Sequence, residues 1–349
     1  MAGVTQSVVA LLLLLVCEGA TAMQVSRRTA LASVASAPVL QLHLPAVAAG
    51  PPGEPSEGSV LKARQAFEAF DAKDLDLAER LFTETIAEWR SLGRPREELS
   101  ALLVARANVR TDLKRFRASL GDLDESLQIM AVDGLRPDGR AAYVEYADAF
   151  AQRGLAHEGL AGRDEQRDAS TPASVEWQRA IDDYDTSLRL LGAPQPYVLS
   201  YRGNARAALA REVGAPRAAA LYEAALGDFR EAEALFARKE GQNSARRNDA
   251  LANQALALYA LDRTDAAFSL AKLTVKRDPG LTDMRALVAA EAWRRGDSQT
   301  ADDAWYVACN EISTGCAKYR DRNWLTTVRR WPQNLVDAQL AFLDRRRPS

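Results

Sequence analysis

Side chains that commonly carry catalysis and metal binding are scarce in this chain, which has 349 residues but only two histidines and three cysteines. His43 and Cys17 fall in N-terminal stretches that have the composition of targeting signals, so His157, Cys309 and Cys316 remain for the folded part. A single histidine does not suffice for a histidine-rich zinc site, and it limits nucleophilic triads. We therefore expect no enzymatic activity, no metal site and no cofactor.

The sequence motifs that position phosphates, metals or nucleophiles do not occur. We find no G-x-x-x-x-G-K-[ST] loop, no G-x-G-x-x-G turn and no G-x-S-x-G elbow. His157-Glu158 lacks the second histidine of an H-E-x-x-H zinc motif. We expect His157 to be a packing residue between helices, and we expect no small-molecule substrate.

The two remaining cysteines allow three interpretations. Cys309 and Cys316 lie seven residues apart, on either side of a helix end expected at 313–315. In an oxidising compartment they would form a local disulfide that ties the C-terminal segment to the preceding helix. Reduced, buried cysteines are the alternative. A redox enzyme is the third, although the spacing differs from the C-x-x-C of oxidoreductases.

Composition favours an α-helical protein of mixed charge. Hydrophobic residues make up 47% of the chain, charged residues 26% and aromatic residues 7%, and the formal net charge is -2. Abundant alanine, leucine and arginine favour helices. Nucleic-acid binding usually requires a basic surplus, so we expect no nucleic-acid partner.

Two adjacent segments, 248–281 and 282–315, share one layout of small residues. Ala255 is followed after 12 residues by Ala267, and Ala289 is followed after 12 residues by Ala301. Small residues at such positions let two antiparallel helices approach closely. After Ala267 the chain reaches Asp278-Pro279, where proline stops the second helix. The pattern resembles the 34-residue tetratricopeptide repeat.

Four earlier segments follow this layout with more drift, which gives six repeats in total. Polar insertions at 163–176 and 211–220 would lie in the turns of repeats 3 and 4. The resemblance implies an all-α, right-handed α-solenoid of about six helix-turn-helix units with a C-terminal capping helix; a generic helical bundle is the alternative. The key positions of the earlier repeats are Ala66 and Ala78, Ala107 and Ser119, Gly154 and Ala180, and Gly203 and Ala225.

The N-terminus has the pattern of two targeting signals in series. Residues 8–16 form a short apolar run, and Ala20-Thr21-Ala22 provides a cleavage site for a signal peptide over 1–22. Arg27-Arg28 and the apolar stretch that follows resemble a twin-arginine export segment over 23–49. One long leader with a chance arginine pair is the alternative. We expect a flexible linker at 50–58, repeats over 59–315 and a cap over 316–349.

The segment after repeat 6 predicts a helical cap. Trp324, Trp331 and Phe342 are expected to pack it against the last repeat. Its basic residues would attract acidic partners or a membrane surface, or form only a solvated surface. They include Arg320, Arg329, Arg330, Arg345, Arg346 and Arg347.

The same tail resembles that of photosynthetic tetratricopeptide proteins of cyanobacteria and chloroplasts. The resemblance rests on Tyr319-Arg320-Asp321, Trp324-Leu325, Arg329 to Pro332, Leu335-Val336 and Phe342-Leu343. Together with the double leader it implies a location in the plastid thylakoid lumen. A secreted or endoplasmic-reticulum protein is the alternative.

Membership of this family implies binding of other proteins through the groove formed by the first helices of the repeats. Asparagines on these helices hold peptide backbones in related proteins, and neighbouring arginines would contact an acidic or extended peptide. We expect an adaptor or assembly factor that binds photosystem subunits or other assembly factors. A structural subunit that binds through its convex face, its insertions or its basic cap is the alternative. The alternative for Asn108 and Asn204 is that they only satisfy helix ends or neighbouring repeats. The expected groove residues are Asn108, Asn204, Asn253, Arg106, Arg110 and Arg206.

Overall fold

The computed structural model describes residues 53–94, 96–162, 168, 170–312 and 316–344. The predicted leader segments, the first part of the predicted linker, and Arg345 to Arg347 lie outside the described residues. Within the described residues no helix has both the length and the apolar character needed to cross a membrane.

Thirteen α-helices, two short π-helices, one 3₁₀-helix and no strands make up the regular structure of the described residues, apart from one isolated bridge between Leu135 and Ala141. The α-helices form six consecutive pairs followed by one last helix, which confirms the predicted all-α fold of repeated helix pairs. The pairs are α1 (Glu57–Asp71) and α2 (Leu75–Ser91), α3 (Arg96–Asp112) and α4 (Phe116–Met130), α5 (Val144–Ala161) and α6 (Ala173–Leu191), α7 (Pro196–Ala210) and α8 (Ala215–Glu240), α9 (Ala245–Ala260) and α10 (Thr264–Arg277), and α11 (Thr282–Arg294) and α12 (Ser298–Tyr306), with α13 (Gln333–Asp344) last.

The chain divides into two compact units, and the boundary between Val198 and Leu199 falls within α7. The N-terminal unit holds repeats 1 to 3. The C-terminal unit holds the rest of repeat 4, repeats 5 and 6, and the C-terminal segment, by which we mean residues 316–344. Each unit has its own contacts between consecutive helices.

The two helices of each repeat meet where one of them carries a small residue. Gly154 of α5 faces the ring of Tyr184 on α6, and Gly203 of α7 faces the ring of Phe229 on α8. A Cβ atom at position 203 would lie 2.6 Å from the Phe229 ring. Such close approach lets side chains of one helix fill the space left by the other. The other first-helix small residues, all fully buried, are Ala66, Ala107, Ala255 and Ala289.

Four of the six repeats share one tight turn between their helices. Its middle residue is Lys73, Lys114, Asp262 or Gly296, each with a positive φ between 56° and 83°. The residue that follows donates its backbone N–H to a carbonyl five residues earlier, as Arg115 does to Arg110 at 2.7 Å. This is a Schellman closure, which satisfies carbonyls at the end of the first helix.

Three helices begin earlier than the sequence predicted. Helix α1 begins at Glu57 rather than near residue 59, because the Ser56 hydroxyl caps it by accepting from the Ser59 amide at 3.1 Å. The segments read as insertions are partly helical, since α6 begins at Ala173 and α8 at Ala215. A proline lies at each of these two starts, where its missing N–H costs nothing.

The first described residue of the predicted linker, Gly53, forms two hydrogen bonds with residues that follow α2. The Gly53 amide donates to the Leu92 carbonyl at 2.8 Å, and the Arg94 guanidinium donates to the Gly53 carbonyl at 3.3 Å. Glu57 and Gly58 of the expected linker belong to α1, and the flexibility expected over 50–58 stays a prediction.

The C-terminal segment lies across first helices of the C-terminal unit. It contains a 3₁₀-helix (Cys316–Arg320), a π-helix (Trp324–Val328) and α13, and α13 packs against α9 and α11. Its residues Trp331, Leu335, Val336 and Phe342 are fully buried. The expectation that this segment caps the last repeat is met, although it also reaches further back along the chain.

The glycine at a helix crossing gives a direct test of this packing. Gly203→Ala places a methyl group against the Phe229 ring, and overpacking of this kind costs about 1–3 kcal/mol. Gly227 lies on α8, where an added Cβ atom would meet nothing within 4 Å, so it is a matched control. We expect Gly203→Ala to lower the urea midpoint. We expect Gly227→Ala to raise it, because the higher helix propensity of alanine adds up to about 1 kcal/mol to the free energy of unfolding. Equal effects of the two substitutions would contradict the proposed crossing.

Candidate functional site

The arginines expected to contact a peptide bind carboxylates within the repeats instead. Arg106 is only 8% exposed, and its guanidinium donates to both Asp122 carboxylate oxygens, at 2.9 and 2.7 Å. Arg110 donates to Asp122 at 2.8 Å and to Glu79 at 2.7 Å. Arg206 donates to Asp228 at 2.8 Å. These three side chains therefore form contacts between helices.

The same ion pair recurs in the three central repeats. In repeat 3, Arg153 binds Asp183 through two nitrogens, at 2.7 and 3.0 Å. In repeat 4, Arg202 binds Asp228 at 2.6 Å. In each repeat the arginine directly precedes the small residue of the first helix. The aspartate directly precedes the large residue of the second helix, which is Leu123, Tyr184 or Phe229.

The outer repeats replace this ion pair by neutral side chains. The equivalent positions are Gln65 and Leu81 in repeat 1, Gln254 and Leu270 in repeat 5, and Val288 and Ala304 in repeat 6. Sequence reasoning missed the pairs, although aligning the repeats on their small residues would have shown them. Replacing both partners of a buried ion pair by apolar groups is often neutral, whereas removing one partner is costly.

Side chains on the first helices separate into two sets by direction. Successive residues of an α-helix are rotated by about 100°, so Asn108 points roughly 200° away from Arg106, and Asn204 points roughly 200° away from Arg206. The arginines face the second helices. The asparagines lie on the opposite side, which we call the first-helix face. An asparagine and an arginine that lie two residues apart in the sequence therefore do not belong to one binding site.

Two of the three predicted asparagines come together on the first-helix face of the C-terminal unit. The Asn253 side-chain amide on α9 donates to the Asn204 side-chain oxygen on α7 at 3.3 Å. Both residues are half-buried. Asn108 belongs to the N-terminal unit, where its Oδ1 atom is enclosed and has no hydrogen-bond partner among the described residues.

Repeat 6 shows what happens to this face when the C-terminal segment covers it. The positions that correspond to Asn253 and Asn204 are Leu287 and Ala290 on α11, and both are fully buried. Leu287 lies two residues before Ala289, so its side chain points away from α12 and is not buried by that helix. The C-terminal segment, which packs against α11, buries it instead. The face is thus apolar where it is covered and carries amides where it is open.

His157 lies between two carboxylates of the second helix of its repeat. Its Nδ1 atom is 2.6 Å from Glu176, and its Nε2 atom is 3.9 Å from Asp183. Burial by itself would raise the pKa of Glu176, but hydrogen bonds from His157 and Arg179 outweigh it and hold this pKa below its ordinary value. The contacts place His157 between helices, as the sequence analysis expected.

Cys309 and Cys316 form a disulfide, with their Cα atoms 5.4 Å apart. It joins the π-helix Val307–Ile312 to the first residue of the C-terminal segment. Both cysteines are half-buried. Among the described residues no group of three or more histidine, cysteine or acidic side chains could hold a metal ion.

Two of the predicted basic residues, Arg320 and Arg329, form contacts within the C-terminal unit. Arg329 forms a salt bridge with Asp283 at the start of α11 and lies over the Trp324 ring. Arg320 donates to the Leu343 carbonyl at 3.2 Å. Arg330 adopts a positive φ of 57°. These contacts account for Arg320 and Arg329 as structural residues of the segment.

Comparison with known proteins gives likeness at the level of shape. No family model matches the chain, and no curated protein matches it. A solved structure of YrrB, a TPR protein with an unusual peptide-binding site, shares 16% identity over 66% of this chain and 91% of that one, with a TM-score of 0.42. BtubC from P. vanneervenii shares 17% identity over 67% and 89%, with a TM-score of 0.45. The apo form of RapI shares 13% identity over 83% and 97%, with a TM-score of 0.48.

The recurrent ion pair can be tested in repeat 2. Asp122→Leu leaves Arg106 buried without its carboxylate, and breaking such a pair costs about 3–5 kcal/mol. Adding Arg106→Gln recreates the glutamine and leucine found in repeats 1 and 5, so we expect the double variant to recover most of this loss. Urea unfolding of both variants measures the difference. If the double variant is no more stable than the single one, the equivalence of the repeats is wrong.

Proposed function

We propose that the protein is a non-catalytic scaffold that binds a segment of another protein on its first-helix face. The observation that carries this proposal is the amide pair formed by Asn204 and Asn253 on adjacent first helices. In repeat 6, where the chain covers the same face with its own C-terminal segment, apolar residues take the place of these asparagines. Polar amides on the open part are suited to a ligand that brings its own hydrogen-bonding groups.

The chemistry of the pair suits a peptide backbone. Each asparagine side chain has an amide that donates twice and an oxygen that accepts. Their mutual bond uses one donor of Asn253 and one lone pair of Asn204, which leaves the Asn204 amide as a donor and the Asn253 oxygen as an acceptor. A peptide group presents one acceptor and one donor, so it matches this arrangement.

The surroundings of the pair favour a peptide over a small polar ligand. Ala252 and Leu256 lie on the same helix as Asn253 and are only partly buried against the core. They offer apolar area on which side chains of a bound segment can pack. Because the helices are already formed, little ordering of the scaffold is needed on binding.

We further propose that the partner is a photosystem subunit or an assembly factor in the plastid thylakoid lumen. Support comes from the two targeting signals within residues 1–49 and from the tail resemblance at 319–343. The cysteine pair is of a kind that persists in oxidising compartments. In this proposal the protein is an adaptor that holds partner chains while complexes assemble.

Affinity capture from separately fractionated plastid and secretory membranes tests both proposals with matched variants. Asn204→Ala with Asn253→Ala removes the amide pair, whereas Asn310→Ala removes an exposed asparagine elsewhere in the C-terminal unit. We expect the native chain and Asn310→Ala to recover the same lumenal partners in equal amounts. The double variant should recover at least tenfold less of them, although its helical circular dichroism is unchanged. Equal recovery by all three would refute the amide-pair site, and recovery only from secretory membranes would refute the thylakoid location.

A further inference from the structure

The disulfide lies where the C-terminal segment leaves repeat 6. Cys309 belongs to a π-helix and Cys316 opens a 3₁₀-helix, two conformations whose hydrogen bonds are less favourable than those of an α-helix. The covalent bond therefore reinforces a junction that has weak backbone support. Both cysteine residues are half-buried.

Beyond the disulfide, the segment contacts two first helices and a residue just after a third. The Tyr319 hydroxyl donates to Asp283 at the start of α11 at 2.5 Å. The Asn334 amide donates to the Tyr259 carbonyl of α9 at 2.8 Å. The Thr326 carbonyl accepts from Arg211, just after α7. The segment thus lies over the same face that carries Asn204 and Asn253.

The seated segment also buries polar atoms that have no partner. Trp331 Nε1 and both side-chain polar atoms of Gln339 are enclosed without a hydrogen bond among the described residues. Each enclosed, unpaired polar group opposes burial, because in water it would be hydrogen-bonded. The apolar contacts of Leu335, Val336 and Phe342 stabilise the packed position of the segment. The net free energy that holds it there is therefore smaller than the burial of these three side chains alone would give.

We propose that the Cys309–Cys316 disulfide is a thiol-sensitive latch that holds the C-terminal segment on the first-helix face. Reduction increases the fraction of molecules in which the segment has lifted from α9 and α11. Lifting uncovers Leu287 and Ala290, which extend the open face beside the asparagine pair. The last step, in which the uncovered face binds more of a partner, rests on the proposed function; the latch itself does not.

The chemistry requires a dithiol reductant, such as a dithiol protein. Its thiolate attacks one cysteine sulfur, the sulfur–sulfur bond breaks, and the other cysteine leaves as a thiolate. The second thiol of the reductant then attacks the mixed disulfide, which releases the remaining cysteine. Two electrons pass to the protein, the reductant becomes a disulfide, and the two cysteines take up its protons.

Hydrogen exchange on the purified protein, without any partner, tests the latch. Closing a loop with a sequence separation of 7 constrains the open state, so opening should become about 10- to 100-fold more frequent on reduction. We expect the amides of α13 to exchange faster by that factor in dithiothreitol, while the amides of the helices in the N-terminal unit do not change. No acceleration in α13, or an equal acceleration throughout 199–344, would overturn the proposal.

A variant separates the disulfide from other effects of the reductant. Cys309→Ser with Cys316→Ser should exchange rapidly in α13 without dithiothreitol and should not respond to it. A variant that still responds would contradict the assignment of the effect to this bond. If the variant does not fold, the native protein with and without dithiothreitol remains a complete test. Because no partner is present, a latch that responds as expected stays valid even if the amide-pair binding site is refuted.

Discussion

The close approach of paired helices at a small residue is the constraint on which the rest of the structure depends. Gly203 against Phe229 and Gly154 against Tyr184 leave no room for a Cβ atom. This contact fixes the rotation of the first helix about its axis. Once the rotation is fixed, the residue before the small one faces the second helix. The residues two before and one after it face outward, and the first-helix face follows from this geometry.

The buried ion pairs use the same register in the central repeats. Arg106 meets Asp122 and Arg153 meets Asp183 only when the helices pair in the observed alignment. Burial would lower the pKa of Arg153, but its hydrogen bonds and attraction to Asp183 and Asp124 raise it above its ordinary value, so the guanidinium stays charged. A shifted register would leave two buried charges apart, which is unfavourable. We infer that the pairs select the alignment more than they add stability.

Sequence alone predicted the repeats because small residues recur at fixed spacing, as Ala255 and Ala267 do in repeat 5. It did not predict the starts of α6 and α8. Their first turns are polar or proline-containing and therefore read as insertions. The ion pairs of the arginines were not predicted, because Arg106 and Asn108 are neighbours in sequence, whereas the carboxylate that binds Arg106 lies 16 residues away. The contact between Arg211 and Thr326 joins residues 115 apart in the sequence, so no local sequence pattern could predict it.

The account holds that one face of the C-terminal unit binds protein partners and that its own C-terminal segment covers part of that face. Site-specific photo-cross-linking in native membranes tests this most directly. A photoreactive residue is placed either at Leu256, beside the amide pair on α9, or at Arg230, which is exposed on α8. The account predicts partner adducts from position 256 and none from position 230. Adducts from position 230 alone, or in equal yield from both, would contradict it.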